Sequence, residues 1–425
     1  MKEKKLIVLG GTSASLDVVR IAKKMGIYTI VIDDQEDGVA KKIADEARLI
    51  STTDIDAIVE LAKTTKADGI FCGPSEFNIR NMLNASTRAG LPSYTDMETW
   101  DKCANKDVFK QYCREYDVDC APEYIITEKT SDEELERLDY PVIFKPVDRC
   151  SSIGISVCNS KAEVRNAFKK AMDASNCKRI ICEKYIENNG EIFGVRYFLK
   201  DGEAYPYLMI DTYIADPYER TSLISEVTIT PSKYAKYYMD HMDSNVRKMF
   251  KGMGLKNGTV FVQALPYNGK IFFHEMGYRL SGGLIFKLTE PLMNINDMQM
   301  MVRYAVGGEM INEEELDRID LNCGGKVGGQ LMLPLRKGII SRIEGVNEIK
   351  KLPTVVDFIQ YYEEKDIVDS KYIGTLQQLF GRVSFVADDM QELSNTINFI
   401  QRTLKVYDEK KNNMLTLPFD LNRIN

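Results

Sequence analysis

Two dipeptides constrain this chain more than any other feature. Asp201-Gly202 separates EIFGVRYFL (191–199) from YPYLMID (205–211), and Asn268-Gly269 separates GTVFVQAL (258–265) from KIFFHEM (270–276). Asp-Gly and Asn-Gly tolerate the positive-φ positions of a two-residue hairpin, and the flanking runs are rich in β-branched and aromatic residues. The middle of the chain therefore reads as antiparallel sheet. YPVIFKPV (140–147) and KRIICEKYI (178–186) add strands to it, and 106–116 is helical.

The beginning follows another rule. KLIVLGG (5–11) is a short buried-type strand, and Leu16, Val19, Ile21, Ala22 and Met25 then recur at helical spacing until Gly26. YTIVIDD (28–34) is a second strand, followed by a helix at 55–65, a strand at 68–72 and a helix at 77–89. Strands alternating with helices predict a parallel α/β domain over 1–95. Past about 325, GGQLMLPL, GIISRIEG and a helix near 388–402 predict a small sheet with one flanking helix.

The 425 residues exceed one ordinary core, so several domains are expected. A net charge of −7 argues against a nucleic-acid partner. No apolar stretch approaches the length of a membrane span, and the start has no signal-peptide pattern. Nine scattered cysteines without a C-x-x-C and just two histidines argue against zinc and for the cytoplasm.

Four stretches carry chemistry. The turn Gly10-Gly11-Thr12-Ser13 feeds a helix and could hold an anion, with Asp33 and Asp34 ending the next strand, but G-x-G-x-x-G is absent. That absence weighs against a nicotinamide-dependent dehydrogenase. In KPVDRCSSIGISV (145–157), Lys145 closes a strand before a loop of small residues that includes Ser152 and Gly154. Backbone N–H groups of such a flap suit phosphate oxygens. Glu183 and Glu191, eight residues apart, could accept from an adenine amino group and from ribose hydroxyls. Gln263 and Glu275 lie on the two strands of the Asn-Gly hairpin, and their oxygens suit Mg²⁺. A two-residue turn alone would pair Gln263 with His274 and send Glu275 to the other face. A bulge or an odd loop pairs Gln263 with Glu275, and this odd register is the one expected. Arg279 follows the strand end, where it could meet phosphoryl charge. Gly282 and Gly283 leave bare backbone beside it. Arg196 and Arg279 are candidates for a substrate carboxylate, and Glu76 for an amine.

In this order, these pieces resemble the ATP-grasp superfamily, most of all its carboxylate–amine ligase and carbamoyl-phosphate-synthase-like branch, which includes biotin-carboxylase relatives. The resemblance implies a multidomain α/β and α+β architecture. A Rossmann-like pre-ATP-grasp domain would span 1–95. A two-lobed ATP-grasp domain would span 96–325, with a small lobe at about 120–190 and a large lobe at about 191–325. A C-terminal α+β domain would cover 326–425. It implies that Lys106 and Lys145 reach phosphates, that 148–154 is the flap, and that Glu183-Lys184-Tyr185-Ile186 is the adenine hinge. Glu191 would hold ribose, Gln263 and Glu275 the metal, and Arg279 the transferring phosphoryl group. Four positions depart from the family pattern. Gly277 stands where a third metal ligand is usual, Gln263 stands where a glutamate is common, and the flap has Arg149 and Ser151 where small residues and glycine are common.

What the resemblance implies about function is a ligase that activates a carboxylate with ATP and joins it to an amine. Mg²⁺ would assist, and Mn²⁺ fits the same donors. The partners would be small-molecule acids and amines, with neither nucleic acid nor membrane, and two copies can pair in such families. The alternatives are a non-catalytic or regulatory ATP-binding protein and a bicarbonate-using, carboxylase-like enzyme.

Overall fold

The computed structural model of the protein describes residues 3–148, 153–214, 225–416 and 418–424. Four parallel strands open the chain, in the order Glu46–Leu49, Tyr28–Asp33, Lys5–Leu9, Gly69–Phe71. Helices Ser13–Lys24, Ile55–Thr65 and Glu76–Ala89 alternate with them. Their buried faces follow the helical period: Val18, Val19 and Ala22 in the first, Ile58 and Ala62 in the second.

A second four-stranded sheet joins Glu123–Tyr124, Ile180–Lys184, Val142–Pro146 and Ser156–Cys158. Helix Lys161–Ala174 covers it with Val164, Ala167 and Ala171. Ser156–Cys158 pairs antiparallel with Val142–Pro146.

The largest sheet has eight strands. Its order is Lys270–Gly277, Gly258–Tyr267, Glu191–Lys200, Glu203–Ile214, Ser225–Thr230, Val327–Pro334, Leu379–Ala387, Val355–Gln360. Both expected hairpins are present. Lys200 pairs with Glu203 and Tyr267 with Lys270, and all four turn residues have positive φ. The expected small C-terminal sheet is only partly separate: Val327–Pro334 pairs with Ser225–Thr230, so that strand, Leu379–Ala387 and Val355–Gln360 extend the large sheet. A smaller sheet of Ile367–Val368, Gly338–Glu344 and Lys405–Asp408 lies beyond. Gly328 and Gly329 explain the junction: a Cβ on either would strike Leu292 or Phe385, so small residues permit the close packing there. Among the described residues, no helix is long and apolar enough to cross a membrane.

One apolar cluster runs from Leu6, Val8 and Ile30 in the parallel sheet to Met298, Met301 and Ala305. The two ends of this cluster meet closely at Gly69, where a Cβ would stand 1.9 Å from the Ala305 carbonyl oxygen. Backbone cannot yield there as a side chain could. Gly69→Ala is expected to destabilise the protein by about 1–3 kcal/mol, as overpacking does, measured by denaturant unfolding; an unchanged midpoint would show that the two units are not held at this point.

Candidate active site

The expected odd register is present. Gln263 lies directly opposite Glu275, Ala264 opposite Phe273, and His274 is the extra residue of a bulge. The Asn-Gly turn keeps two residues, and the bulge supplies the shift. Cross-strand partners share a face, so Gln263 and Glu275 stand side by side, both half-buried. Gly194 is next in the same row. Among the described residues, the Glu275 carboxylate has no hydrogen bond or ion pair, and no group of three or more His, Cys, Asp or Glu side chains could hold a metal alone. A hard oxygen pair with one charge fits Mg²⁺ that arrives with phosphate oxygens and water.

Two residues beyond Glu275, Gly277 lies opposite Phe261. A Cβ at Gly277 would fall 2.4 Å from the Phe261 ring. The Arg279 guanidinium sits 5.0 Å from the centre of that ring on the cation–π side, and it donates to Glu76 Oε2 at 2.7 Å. The place of the usual third metal ligand is thus filled by an aromatic ring that carries the arginine. Glu76, at the start of helix Glu76–Ala89, is engaged with Arg279 across the domain boundary.

The lysines are organised by Glu183. Its Oε1 accepts from Lys110 at 2.7 Å and its Oε2 from Lys145 at 2.5 Å. Lys110 also donates to the Phe273 carbonyl at 3.0 Å. Glu183 and Lys110 are 2% and 1% exposed, which decides their role. Both carboxylate oxygens are taken and shielded, so the expectation that this side chain meets adenine is corrected: Glu183 positions lysines. Burial alone would raise its carboxyl, but the two ammonium groups outweigh burial and hold it near 2. His274 lies in the same field. Burial, then the charges of Lys145 and Lys110, push its imidazole down to about 3, and its Nε2 has no partner among the described residues. Lys106 is the first residue of helix Lys106–Glu115, one turn before Lys110.

The hinge runs beside this pair. The Lys184 N–H donates to the Pro122 carbonyl and that of Tyr185 to the Pro141 carbonyl, while the Lys184 ammonium bonds the carbonyls of Asp139 and Tyr140. Ile186 is buried. Glu191 accepts from the Tyr234 hydroxyl at 2.8 Å and from Lys233 at 2.9 Å. It lines a cavity of about 310 Å³ with Asn188, Lys233, Tyr234 and the Asn268-Gly269 turn. In the flap, Asp148 accepts from Ser175 Oγ and from the backbone N–H groups of Asn176 and Cys177, which anchors the loop base. Gly154 has φ +76°, and a Cβ there would strike Ala174. Ser152 lies outside the described residues.

Below Arg279, the loop Ser281-Gly282-Gly283 is held from three strands. Arg196 donates to Ser281 Oγ, Arg382 to the Gly282 carbonyl and Gln330 to the Gly283 carbonyl. Sequence reasoning missed Lys110, Phe261, His274 and Arg382. Lys110 had a usable signal: it sits between Phe109 and Cys113 on the apolar stripe of its helix, where a lysine needs a partner. Phe261 and Arg382 gave none, because each acts through a neighbour remote in sequence.

Comparison with known proteins gives the same architecture. The family model described as D-ala D-ala ligase C-terminus matches residues 121–196. A formate-dependent phosphoribosylglycinamide formyltransferase of Sulfurisphaera tokodaii is 24% identical over 72% of this chain and 76% of its own length. The L-amino acid ligase of Bacillus licheniformis superposes with a TM-score of 0.77 at 16% identity, covering 96% of this chain and all of that one (100%). The biotin carboxylase domain dimer of Hydrogenobacter thermophilus 2-oxoglutarate carboxylase, solved with MgADP, ADP and bicarbonate, gives 0.76 at 19% identity over 95% of this chain and 90% of that chain.

Two tests follow from this geometry. Glu183→Gln leaves the buried Lys110 and the half-buried Lys145 short of a counter-charge and is expected to cost about 3 kcal/mol or more. Because the Glu183 carboxyl is depressed in the fold, the wild-type advantage is full above about pH 4.5 and fades as pH falls towards about 2. Unfolding curves of both proteins across that range check the sign, and a gap that widens in acid would refute the pairing. Gly277→Asn should destabilise by about 1–3 kcal/mol through the Phe261 ring, and the same substitution made in a Phe261→Ala background should cost far less than in the wild type.

Proposed function

The chain carries the ATP-grasp fold, and from that premise we propose that it is an ATP-dependent ligase joining a carboxylate to an amine. A carboxylate oxygen attacks the γ-phosphorus of ATP, the bond to the β–γ bridging oxygen breaks, and ADP leaves. The amine nitrogen of the second substrate then attacks the acyl carbon, the carbon–oxygen bond to phosphate breaks, and the nitrogen loses a proton. The products are an amide, ADP and phosphate.

One observation carries the reading: Gln263 and Glu275 side by side on a hairpin, with Arg279 braced at its end. Mg²⁺ bound by this pair would neutralise phosphate charge. Phosphoryl transfer needs positioning and charge more than covalent chemistry. Lys145, oriented by Glu183, and Lys106 face the phosphates in this proposal. Arg279 is ready for charge that develops during transfer, its guanidinium fixed by Phe261 and Glu76. Glu191 and the backbone of Lys184 and Ile186 take the nucleoside, and Ser152 and Gly154 belong to the loop that excludes water. Gly282 and Gly283 let backbone approach the acid. ATP and Mg²⁺ are the proposed cofactors, with Mn²⁺ a substitute on the same oxygens. A homodimer in the cytoplasm is part of the proposal.

The Phe261 ring over Gly277 favours a second reading, a non-catalytic ATP-binding protein, because it removes one metal ligand. A phosphate-release screen of carboxylic acids against amines separates the two. Turnover with an acid–amine pair supports the ligase, and ATP binding without ADP release under every pair supports the alternative. Within a positive pair, Arg279→Ala should lower kcat on the order of 10³-fold; a loss under about tenfold would remove Arg279 from the transition state.

A further inference from the structure

Arg196 and Arg382 are 8% and 5% exposed, yet among the described residues neither has a carboxylate within ion-pair distance. The Nε of each is buried without a partner. Their terminal nitrogens make long contacts to neutral groups, Arg196 to Ser281 Oγ at 3.4 Å and Arg382 to the Gly282 carbonyl at 3.3 and 3.4 Å. A buried guanidinium without a counter-ion is costly, and two on one loop more so. Asp297 stands beyond ion-pair distance and accepts the Tyr207 hydroxyl at 2.8 Å, so its charge reaches Arg196 only as a longer-range pull. Glu226, on strand Ser225–Thr230, is pushed up to about 7 by burial, and the charge that pulls against this is Arg423.

Register places both arginines on the face that carries Gln263 and Glu275. Arg196 lies opposite Phe261, the ring beneath Arg279. Arg382 lies opposite Met332, two residues along from the Gln330–Ser384 pair. Three strands separate the two arginines in the sheet, yet they reach adjacent loop residues, Arg196 to Ser281 and Arg382 to Gly282, so the sheet curls them towards one place. Between them the same face carries Thr212 and Thr228, in contact at 3.2 Å, and Gln330 bonded to Ser384, beside the apolar Leu208 and Met332 opposite the two arginines.

We infer that Arg196 and Arg382 form an anion-binding floor, and that the acid used by this protein carries a second anionic group, a carboxylate or a phosphate, which they hold while Arg279 faces the reacting carboxylate. The identity of the bound molecule as an acid substrate rests on the ligase proposal; the anion site does not. A bidentate guanidinium contact supplies both charge and direction.

The test uses the full chain and matched probes. Succinate is compared with propionate, and 3-phosphoglycerate with glycerate, by calorimetric titration, so that the carboxylate and phosphate forms are scored separately. The doubly charged member of at least one pair is expected to bind about tenfold or more tighter than its partner, the scale of one charge-assisted pair. Arg196→Gln and Arg382→Gln should each erase that preference, and Arg382→Lys should retain part of it. If Arg382→Gln does not fold, shown by loss of a cooperative melt, the wild-type preference and the lysine variant still decide. Equal binding within both pairs, binding by none, or a preference that survives both glutamine variants overturns the inference. ADP release with ATP and an amine, read in the same mixtures, judges the ligase proposal separately. A preference without release keeps the anion floor and sinks the ligase; release without preference does the reverse.

Discussion

The buried arrangement Lys110–Glu183–Lys145 is the constraint on which the site depends. Glu183 belongs to the small four-stranded sheet, Lys145 to the neighbouring strand of that sheet, and Lys110 to a helix whose ammonium also bonds Phe273 of the large sheet. One carboxylate therefore fixes Lys145 and, through Lys110, the relation of that lysine to the hairpin of Gln263 and Glu275. Two cations share a single buried anion. The excess positive charge suits a site for polyanions, and it adds to the burial that keeps His274 neutral. Removing the carboxylate would disturb three elements at once.

The hairpin shows a second economy of means. An Asn-Gly turn sets an even register, and one bulged residue converts it to the odd register that brings the amide and carboxylate together. Past the bulge, Phe261 takes the volume above Gly277 and supports Arg279 from beneath. The glycine and the phenylalanine are one packing solution, since neither position can change size without the other. Charge in the site is thereby shifted from a metal ligand towards a stacked arginine.

Much of this was legible in the sequence because it is local. Hairpin turns are written in Asp201-Gly202 and Asn268-Gly269, helix faces in the spacing of Val18, Val19 and Ala22, and the parallel domain in its alternation. The odd register was legible too, since oxygen donors for a shared ion have to share a face. The strand Glu46–Leu49 was not, because EARL has little apolar content and draws its stability from pairing at the sheet edge. Nor was the continuation of the large sheet beyond 325: pairing between Ser225–Thr230 and Val327–Pro334 spans about a hundred residues and leaves no local mark. The role of Glu183 was misread for the same reason. Its partners Lys110 and Lys145 lie dozens of residues away, and burial, which decides between a ligand and a brace, is a property of the assembled fold.

The continuous eight-stranded ladder bears on how such a chain can be rebuilt. Metal-side hairpin and C-terminal strands share one hydrogen-bonded framework, so a splice near 325 would leave two raw strand edges instead of two modules. The four-stranded sheet around Val142–Pro146 is bonded within itself and meets the remainder mainly through side chains. For grafting or shuffling, that lobe is the natural cassette, provided the incoming piece brings a glutamate for the resident Lys110.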